Sequence, residues 1–254
     1  MSKPLILITN DDGYNAKGLN SLIESVSDLG EIIIVAPDRP QSGMGHAITV
    51  NEPIRCSKTD YFGALNAYIC SGTPVDCIKM GLYLLKDRQP NLILSGINHG
   101  SNVSTNVLYS GTMSAAVEGA LEGIPSIGFS LTSYCSDADF TASRTFVKLI
   151  TEKVVNNKIK SGTCLNVNIP DVNSELIKGI KVCHQGKAFW DDTFDKRTDP
   201  LGKEYYWLTG SFDSKEQAED ADINYLQNNY ITIVPTQYDM TCYESVDELK
   251  KWSF

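Results

Sequence analysis

PLILITNDDG, Pro4 to Gly13, constrains this chain more than any other segment, because an unbroken apolar run stops abruptly at two adjacent aspartates. A run of that length, rich in Leu and Ile and bounded by Pro and Gly, reads as a strand buried on both faces, the kind found in parallel sheets. In an open α/β sheet, ligands gather beyond the carboxyl ends of the strands, where Asp11 and Asp12 would stand. Two carboxylates there invite a hard cation. The plainer alternative is that Asn10, Asp11 and Asp12 build the turn and cap the next helix, work for which one Asp would suffice.

With 254 residues, 42% of them hydrophobic and 21% charged, the chain is long enough for a large core and shows no sign of disorder. No linker or internal repeat divides it, so it reads as one unit over residues 1–254. A net charge of -9 argues against a broad basic face for nucleic acid polymers and leaves small anionic ligands open. The seven cysteines are odd in number, scattered, and never in a C-x-x-C pair, which suits reduced core thiols. Neither a signal sequence nor a membrane-length apolar run stands out, so the expectation is a cytoplasmic protein without a membrane partner.

In chain order, Leu19, Leu22, Ile23 and Val26 form one apolar stripe of a first helix, and Glu31–Pro37 is a second buried strand, followed by the polar loop Asp38–His46. Ala47–Val50 and Asn66–Cys70 read as short strands. Thr73 is a good N-cap with Pro74 at the first helical position and Val75, Ile78, Leu82 and Leu85 as the buried stripe. Asn91–Asn102 is a strand ending in a Gly/Asn/Ser loop. Ser110–Gly123 repeats Ser-Gly-Thr before a helix whose Ala115, Ala116, Gly119 and Ala120 would let it pack closely. A strand at Ile124–Ser130, a helix at Phe140–Val155 and a strand at Thr163–Pro170 continue the alternation. The fold class expected is α/β, a three-layer α/β/α sandwich with a mostly parallel, Rossmann-like sheet. After Pro170 the alternation breaks: Ile180–Gln185 and Lys203–Phe212 suggest an antiparallel ribbon. Tyr230–Pro235 returns as a strand, and Ser245–Trp252 closes the chain as a Ser-capped helix. The division is a core over 1–170 carrying the site, then a hairpin excursion, returning strand and arm over 171–254.

Asp11, Asp12, Ser42, Asn98 and the two Ser-Gly-Thr segments all fall just past predicted strand ends. Carboxylate, hydroxyl and carboxamide oxygens suit Mg²⁺, Mn²⁺ or Ca²⁺, and no Cys/His spacing suggests zinc. Each Ser-Gly-Thr, Ser71–Gly72–Thr73 and Ser110–Gly111–Thr112, offers a hydroxyl and a capping Thr at a helix N-terminus, where free N–H groups and the helix dipole attract an anion such as phosphate. Plain capping is the alternative for either tripeptide alone. Gly96, Asn98, Gly100 and Asn102 form either an anion-cradling nest or a tight loop. His46 and His99 lie in loops assigned to the site and also read as structural groups; His184 reads as structural.

These residues resemble the SurE family, survival proteins that act as metal-dependent 5′/3′-nucleotidases. ILITNDDGYNAKGL, APDRPQSGMGHAIT, SGTPVDC, SGINHGSN, YSGTMSAAVEGA, DPLGKEYYWLTG and VPTQYDMTCY stand here in the family's order, nearly along the whole chain. Val-Pro-Thr replaces the commoner Thr-Pro-Leu, outside the site. The resemblance implies one divalent ion on Asp11, Asp12, Ser42 and Asn98. It also implies phosphate contacts from Asn102, Ser110, Gly111 and Thr112, with Ser71, Gly72 and Thr73 close by. It further implies a hairpin and a C-terminal arm exchanged between subunits, giving homodimers and in some members tetramers; the arm here is shorter on obvious signals. The expected activity is removal of phosphate from nucleoside 5′-monophosphates, with 3′-monophosphates and short polyphosphate as further substrates, by metal-activated water with Asp11 or Asp12 taking its proton. A covalent aspartyl phosphate is the competing chemistry, but its D-x-D-x-T pattern is absent. A phosphate-accepting receiver or nucleotide-binding regulatory module without turnover is the competing class, although a receiver is about half this length. G-x-G-x-x-G and Walker A motifs are absent.

Overall fold

A computed structural model describes residues 3–157, 159–213 and 218–253. Its centre is β1 (Leu5–Thr9), buried along its whole length. Alternation along the strand sends Ile6 and Ile8 to one face of the sheet and Leu5 and Leu7 to the other. The first face is covered by α1 (Lys17–Val26) and α4 (Thr141–Asn156), through Leu19, Leu22, Val147 and Ile150. The second is covered by α2 (Pro74–Leu85) and α3 (Gly111–Leu121), through Cys77, Ile78 and Ala115. Burying one such aliphatic side chain contributes about 1.5–3 kcal/mol, so a strand apolar on both faces is stable only in the middle layer of a sandwich.

Six parallel strands form the body of the sheet: β4 (Asn66–Cys70), β2 (Glu31–Pro37), β1, β5 (Leu92–His99), β6 (Ser126–Leu131) and β7 (Thr163–Ile169). β3 (Cys56–Thr59) closes one edge antiparallel to β4. At the other edge β11 (Ile231–Gln237) runs antiparallel to β7 and carries β8 (Ile180–Val182) parallel to itself. From β1 the chain moves outward to β2 on one side, then returns past β1 to β5 on the other. The carboxyl ends of β1 and β5 therefore flank the switch point where open α/β sheets bind ligands. β9 (Phe189–Thr198) and β10 (Glu204–Asp213) pair antiparallel as a separate two-stranded ribbon. Between them and β11 lies α5 (Asp222–Gln227), and α6 (Tyr243–Leu249) ends the chain. The α/β fold class and the C-terminal hairpin are as expected. Residues 214–217 and 254 of the expected excursion and arm lie outside the described residues. No helix of the described residues is long and apolar enough to cross a membrane.

Four local expectations are corrected. Ala47–Val50 is not a strand, because its polar groups serve the cap of α2: Thr49 N–H and Oγ1 both donate to Asp76, and Ala47 O accepts from Thr73 Oγ1. The edge partner of β4 comes instead from β3. Ile180–Val182 joins the main sheet rather than the ribbon. Ser245 does not cap α6; it lies inside that helix, whose N-cap is Cys242 without a side-chain bond. The two Ser-Gly-Thr segments also differ in register. Thr73 caps α2 with a reciprocal Asp76 bond, whereas α3 is capped by Ser110, placing Thr112 within its first turn.

Gly18 sets how closely α1 approaches the site strand. A β-carbon at Gly18 would stand 1.9 Å from the Ile97 carbonyl oxygen, next to Asn98. Gly→Ala inside a helix ordinarily stabilises by about 0.5–1 kcal/mol. Here we predict the opposite sign: Gly18→Ala lowers the unfolding free energy by about 1–3 kcal/mol through forced backbone displacement. Urea unfolding checks it, and a stabilised variant would show that the approach is not tight.

Candidate active site

The chain leaves β1 into Asn10, whose Nδ2 donates to Gly13 O at 2.9 Å and fixes the turn. Both readings of the acidic pair then meet in one place. Asn10 is the turn residue, and the two aspartates are released for other work. Asp11 is 4% exposed. Its Oδ1 accepts the Thr112 hydroxyl, and its carbonyl accepts Gln41 N–H at 2.7 Å, which anchors the Ser42 loop. Asp12 is half-buried, and its Oδ2 accepts the His99 N–H at 3.2 Å. Burial, and next the Asp12 charge, push the Asp11 carboxyl up to about 7 against the bonds from Thr112. Burial also raises the Asp12 carboxyl. The pair is thus under-compensated by the surrounding protein.

From β5, Asn98 Nδ2 donates to Gly100 O at 2.8 Å, which leaves Oδ1 free to accept or to ligate. Gly96 permits the bend there: its φ is +125° and a β-carbon would lie 2.3 Å from Phe129 O. The following loop is held by amides of β7. Asn102 N–H donates to Asn168 Oδ1 at 2.7 Å, Asn166 Nδ2 to Asn102 O at 2.7 Å, and Asn102 Nδ2 to Ser130 Oγ at 2.8 Å. At α3, Ser110 Oγ accepts Met113 N–H at 3.0 Å, which leaves its own proton to give. The Gly111 N–H lies in the same first turn, without an intrahelical acceptor.

Asp11, Ser42, Asn98, Asn102 and Ser110 line one crevice of about 660 Å³. Asp12 and Thr112 reach it through His99 and Asp11, and Gly111 lies against Asp11, where a β-carbon would come within 2.7 Å of Asp11 Cβ. Ser71, Gly72 and Thr73 do not line it. Ser71 Oγ accepts Arg55 N–H, Thr73 is committed to Ala47 and Asp76, and Gly72 packs on Asp76. His99 is held in the crevice wall edge-to-face against Phe140, and burial lowers its pKa. His46 pairs with the buried Glu118, which also holds Lys79. A larger cavity of about 760 Å³ beside α3 and β11 contains His46 but none of the carboxylates discussed here, and its lining is mostly apolar.

The crevice is also lined by the aromatic residues Tyr109, Tyr134, Phe189 and Trp190, with Leu208 and the carboxylate of Asp192. Sequence reasoning passed over these residues. Tyr109, adjacent to Ser110, and Leu208, within Lys203–Phe212, stand in segments singled out in the sequence, and the others come from the segment after β6 and from the start of the ribbon. Among the described residues, no Lys or Arg lines this crevice.

The description survival protein SurE fits the family model that matches residues 6–192. The chain belongs to the SurE family. A relative from Christiangramia forsetii, named 5′-nucleotidase SurE, is 51% identical over 99% of this chain and 97% of its own length. One of the same name from Cytophaga hutchinsonii is 52% identical, covering 100% and 99%. The solved SurE protein from Aquifex aeolicus superposes with a TM-score of 0.85 at 39% identity, over 97% of this chain and 98% of that one. The SurE chain described here thus presents that fold with its acidic pair at the switch point.

A pH dependence follows from Asp11. Its pKa is raised on folding, so the protonated form is the one the fold favours; its contribution is fully present below about pH 4 and lost as pH rises to about 7. In chelator, the wild type should therefore lose melting temperature between pH 4 and 7 relative to Asp11→Asn, which carries no such group. Parallel melting curves for the two proteins would contradict the burial of an uncompensated carboxyl.

Proposed function

We propose that this chain is a phosphomonoesterase that hydrolyses nucleoside 5′-monophosphates with one divalent cation, Mg²⁺ or Mn²⁺, held by Asp11, Asp12, Asn98 and Ser42. One observation carries this reading: Asp11 and Asp192 line the crevice, Asp12 stands beside it on the His99 N–H, and no Lys or Arg of the described residues lines it, so a cation is what would let an anionic ester enter. The donor set fits. Thr112 and His99 each occupy one carboxylate oxygen, leaving one on each Asp, and the Asn98 amide keeps its oxygen free to ligate. Among the described residues no three His, Cys, Asp or Glu are gathered for a metal, which suits a Mg²⁺-type ion that takes few carboxylates and keeps several waters. The names of the relatives, 5′-nucleotidase SurE, support the substrate class.

A bound divalent ion supplies Lewis-acid polarisation of the phosphoryl group and a lowered pKa for water. The chain's residues do the rest. Asp12, the more accessible carboxylate, takes the proton of the attacking water. The Ser110 hydroxyl and Gly111 N–H donate to the phosphoryl oxygens at the positive end of α3. Thr112 acts one step back, holding Asp11. The aromatic wall receives the nucleoside. Seven free thiols suit a reducing cytoplasm.

Phosphate release from nucleoside monophosphates by metal-stripped protein tests the reading. We expect none in chelator, recovery with Mg²⁺ or Mn²⁺, and a loss of at least about a hundredfold in Asp11→Asn or Asp12→Asn with the fold retained. Equal rates with and without chelator would overturn it. Binding of nucleotide without release under any condition would favour the regulatory module. 3′-Monophosphates and short polyphosphate belong in the same panel.

We also infer a homodimer through the ribbon and tail. A two-stranded ribbon is marginal alone, and this one exposes Phe194, Trp207 and Leu208, while Met240 and Tyr243 are exposed on the tail. Removing residues 240–254 should give monomer by light scattering, and a well-folded dimer after that deletion would defeat the inference.

A further inference from the structure

Asp222 is a fully buried carboxylate far along the chain from every residue assigned above. It accepts four hydrogen bonds from three segments. Ser104 N–H donates to Oδ2 at 2.9 Å and Ser104 Oγ to Oδ1 at 3.2 Å; Gly186 N–H and Ile223 N–H donate to Oδ1 at 2.9 and 2.7 Å. Its own N–H reaches His184 O at 3.0 Å. The junction has no slack, since a β-carbon on Gly186 would stand 2.8 Å from Ser104 Oγ and 2.9 Å from Asp222 Oδ1.

Ser104 takes a φ of +53°, a conformation that non-glycine residues hold only when their surroundings impose it. The imposing group is Asp222. Ser104 opens the 3-10 turn Ser104–Leu108, which leads through Tyr109 to Ser110. Two more bonds tie this turn to the base of the ribbon: Thr105 Oγ1 to Ala188 O at 2.8 Å, and Trp190 Nε1 to Asn106 Oδ1 at 2.8 Å. Tyr109 and Trp190, from the two tied segments, both line the crevice. The side chains of Asp11, Asp12 and Asn98 bond to Thr112, to His99 N–H and to Gly100 O, and none of these bonds comes from Asp222 or from the turn it holds.

We propose that Asp222 is a positioning residue that holds the nucleoside-facing wall of the crevice, clamping the turn at Ser104 to the ribbon base without touching the metal-facing wall. This rests on the phosphomonoesterase reading for its kinetic consequence but not for its structural one. Asn at this position removes the charge and turns an N–H₂ toward backbone donors. The wall should then loosen while the carboxylate wall keeps its geometry.

The test compares wild type with Asp222→Asn on two esters, AMP and ethyl phosphate, the second lacking base and ribose. Loss of a charge-assisted clamp predicts an increase of about tenfold in KM for AMP. kcat/KM for ethyl phosphate should fall several-fold less than for AMP, since only Ser110 at the end of the turn meets that ester, and the Mn²⁺-induced shift in melting temperature should be unchanged. Amide hydrogen exchange gives a readout independent of turnover: residues 103–109 should exchange faster in the variant and residues 5–9 should not. A general structural role predicts equal losses on both esters, and that result, or unchanged exchange at 103–109, overturns the proposal. If Asp222→Asn does not fold, Ser104→Ala keeps the carboxylate and removes one bond; it should show the same split in smaller measure, and absence of the split overturns the proposal. If wild type releases phosphate from neither ester, the enzymatic reading fails and exchange alone decides the role of Asp222.

Discussion

Two neighbouring carboxylates standing where the central strand ends are the constraint to which the rest of the site answers. A charge taken out of water needs compensation, and Asp11 is almost wholly enclosed. The protein supplies some of it: the Thr112 hydroxyl and the N-terminal turn of α3, whose dipole favours negative charge. This explains why α3 must arrive so closely that only glycine fits at position 111 beside Asp11. What the protein withholds is a cationic side chain, and the neighbours it places there instead, Asn98 and Ser42, offer oxygens. A fold that gives two acids only a hydroxyl, a backbone N–H and a helix end leaves their charge under-compensated, and that is the opening the proposed cation would use.

The central layers were legible because their signal is local. Leu5–Ile8 and Ile32–Val35 are apolar on both faces, and the Thr73-Pro74 start of α2 is fixed by bonds among near neighbours. Asp11 and Asp12 follow β1 and Ser110 stands at the start of α3, as the local pattern indicates, whereas Asn98, expected just past a strand, lies within the last residues of β5. What failed were readings of a tripeptide or short run without its tertiary partner. Ser71–Gly72–Thr73 and Ser110–Gly111–Thr112 are identical strings, yet one is shifted by two residues relative to its helix, because Asp76 draws Thr73 into a cap while Asp11 draws Thr112 into the first turn. Ala47–Val50 looked like a strand and became a brace for that same cap. The buried amides Asn166 and Asn168 alternate visibly in sequence, but their meaning depends on Asn102, far away along the chain.

The division of labour within the crevice follows from the same contrast between local and distant order. Strand ends of a parallel sheet can present small polar groups at fixed spacing, which is enough for a cation and a phosphoryl group. They cannot build a wall large enough for a base and sugar. Under the proposed function that wall would come from Tyr109, Tyr134 and the ribbon, of which Tyr109 and the ribbon lie outside the main sheet. Asp222, accepting donors from residues 104, 186 and 223, joins the Tyr109 turn to the segment that leads into the ribbon, beside the Thr105–Ala188 and Trp190–Asn106 bonds. The matched family segment ends at residue 192, inside β9, whereas the clamp lies thirty residues further on. The part of the chain that looked like an excursion from the α/β pattern thus contributes to the crevice, through Phe189, Trp190, Asp192 and Leu208, and the proposed clamp at Asp222 would tie that contribution to the turn before α3.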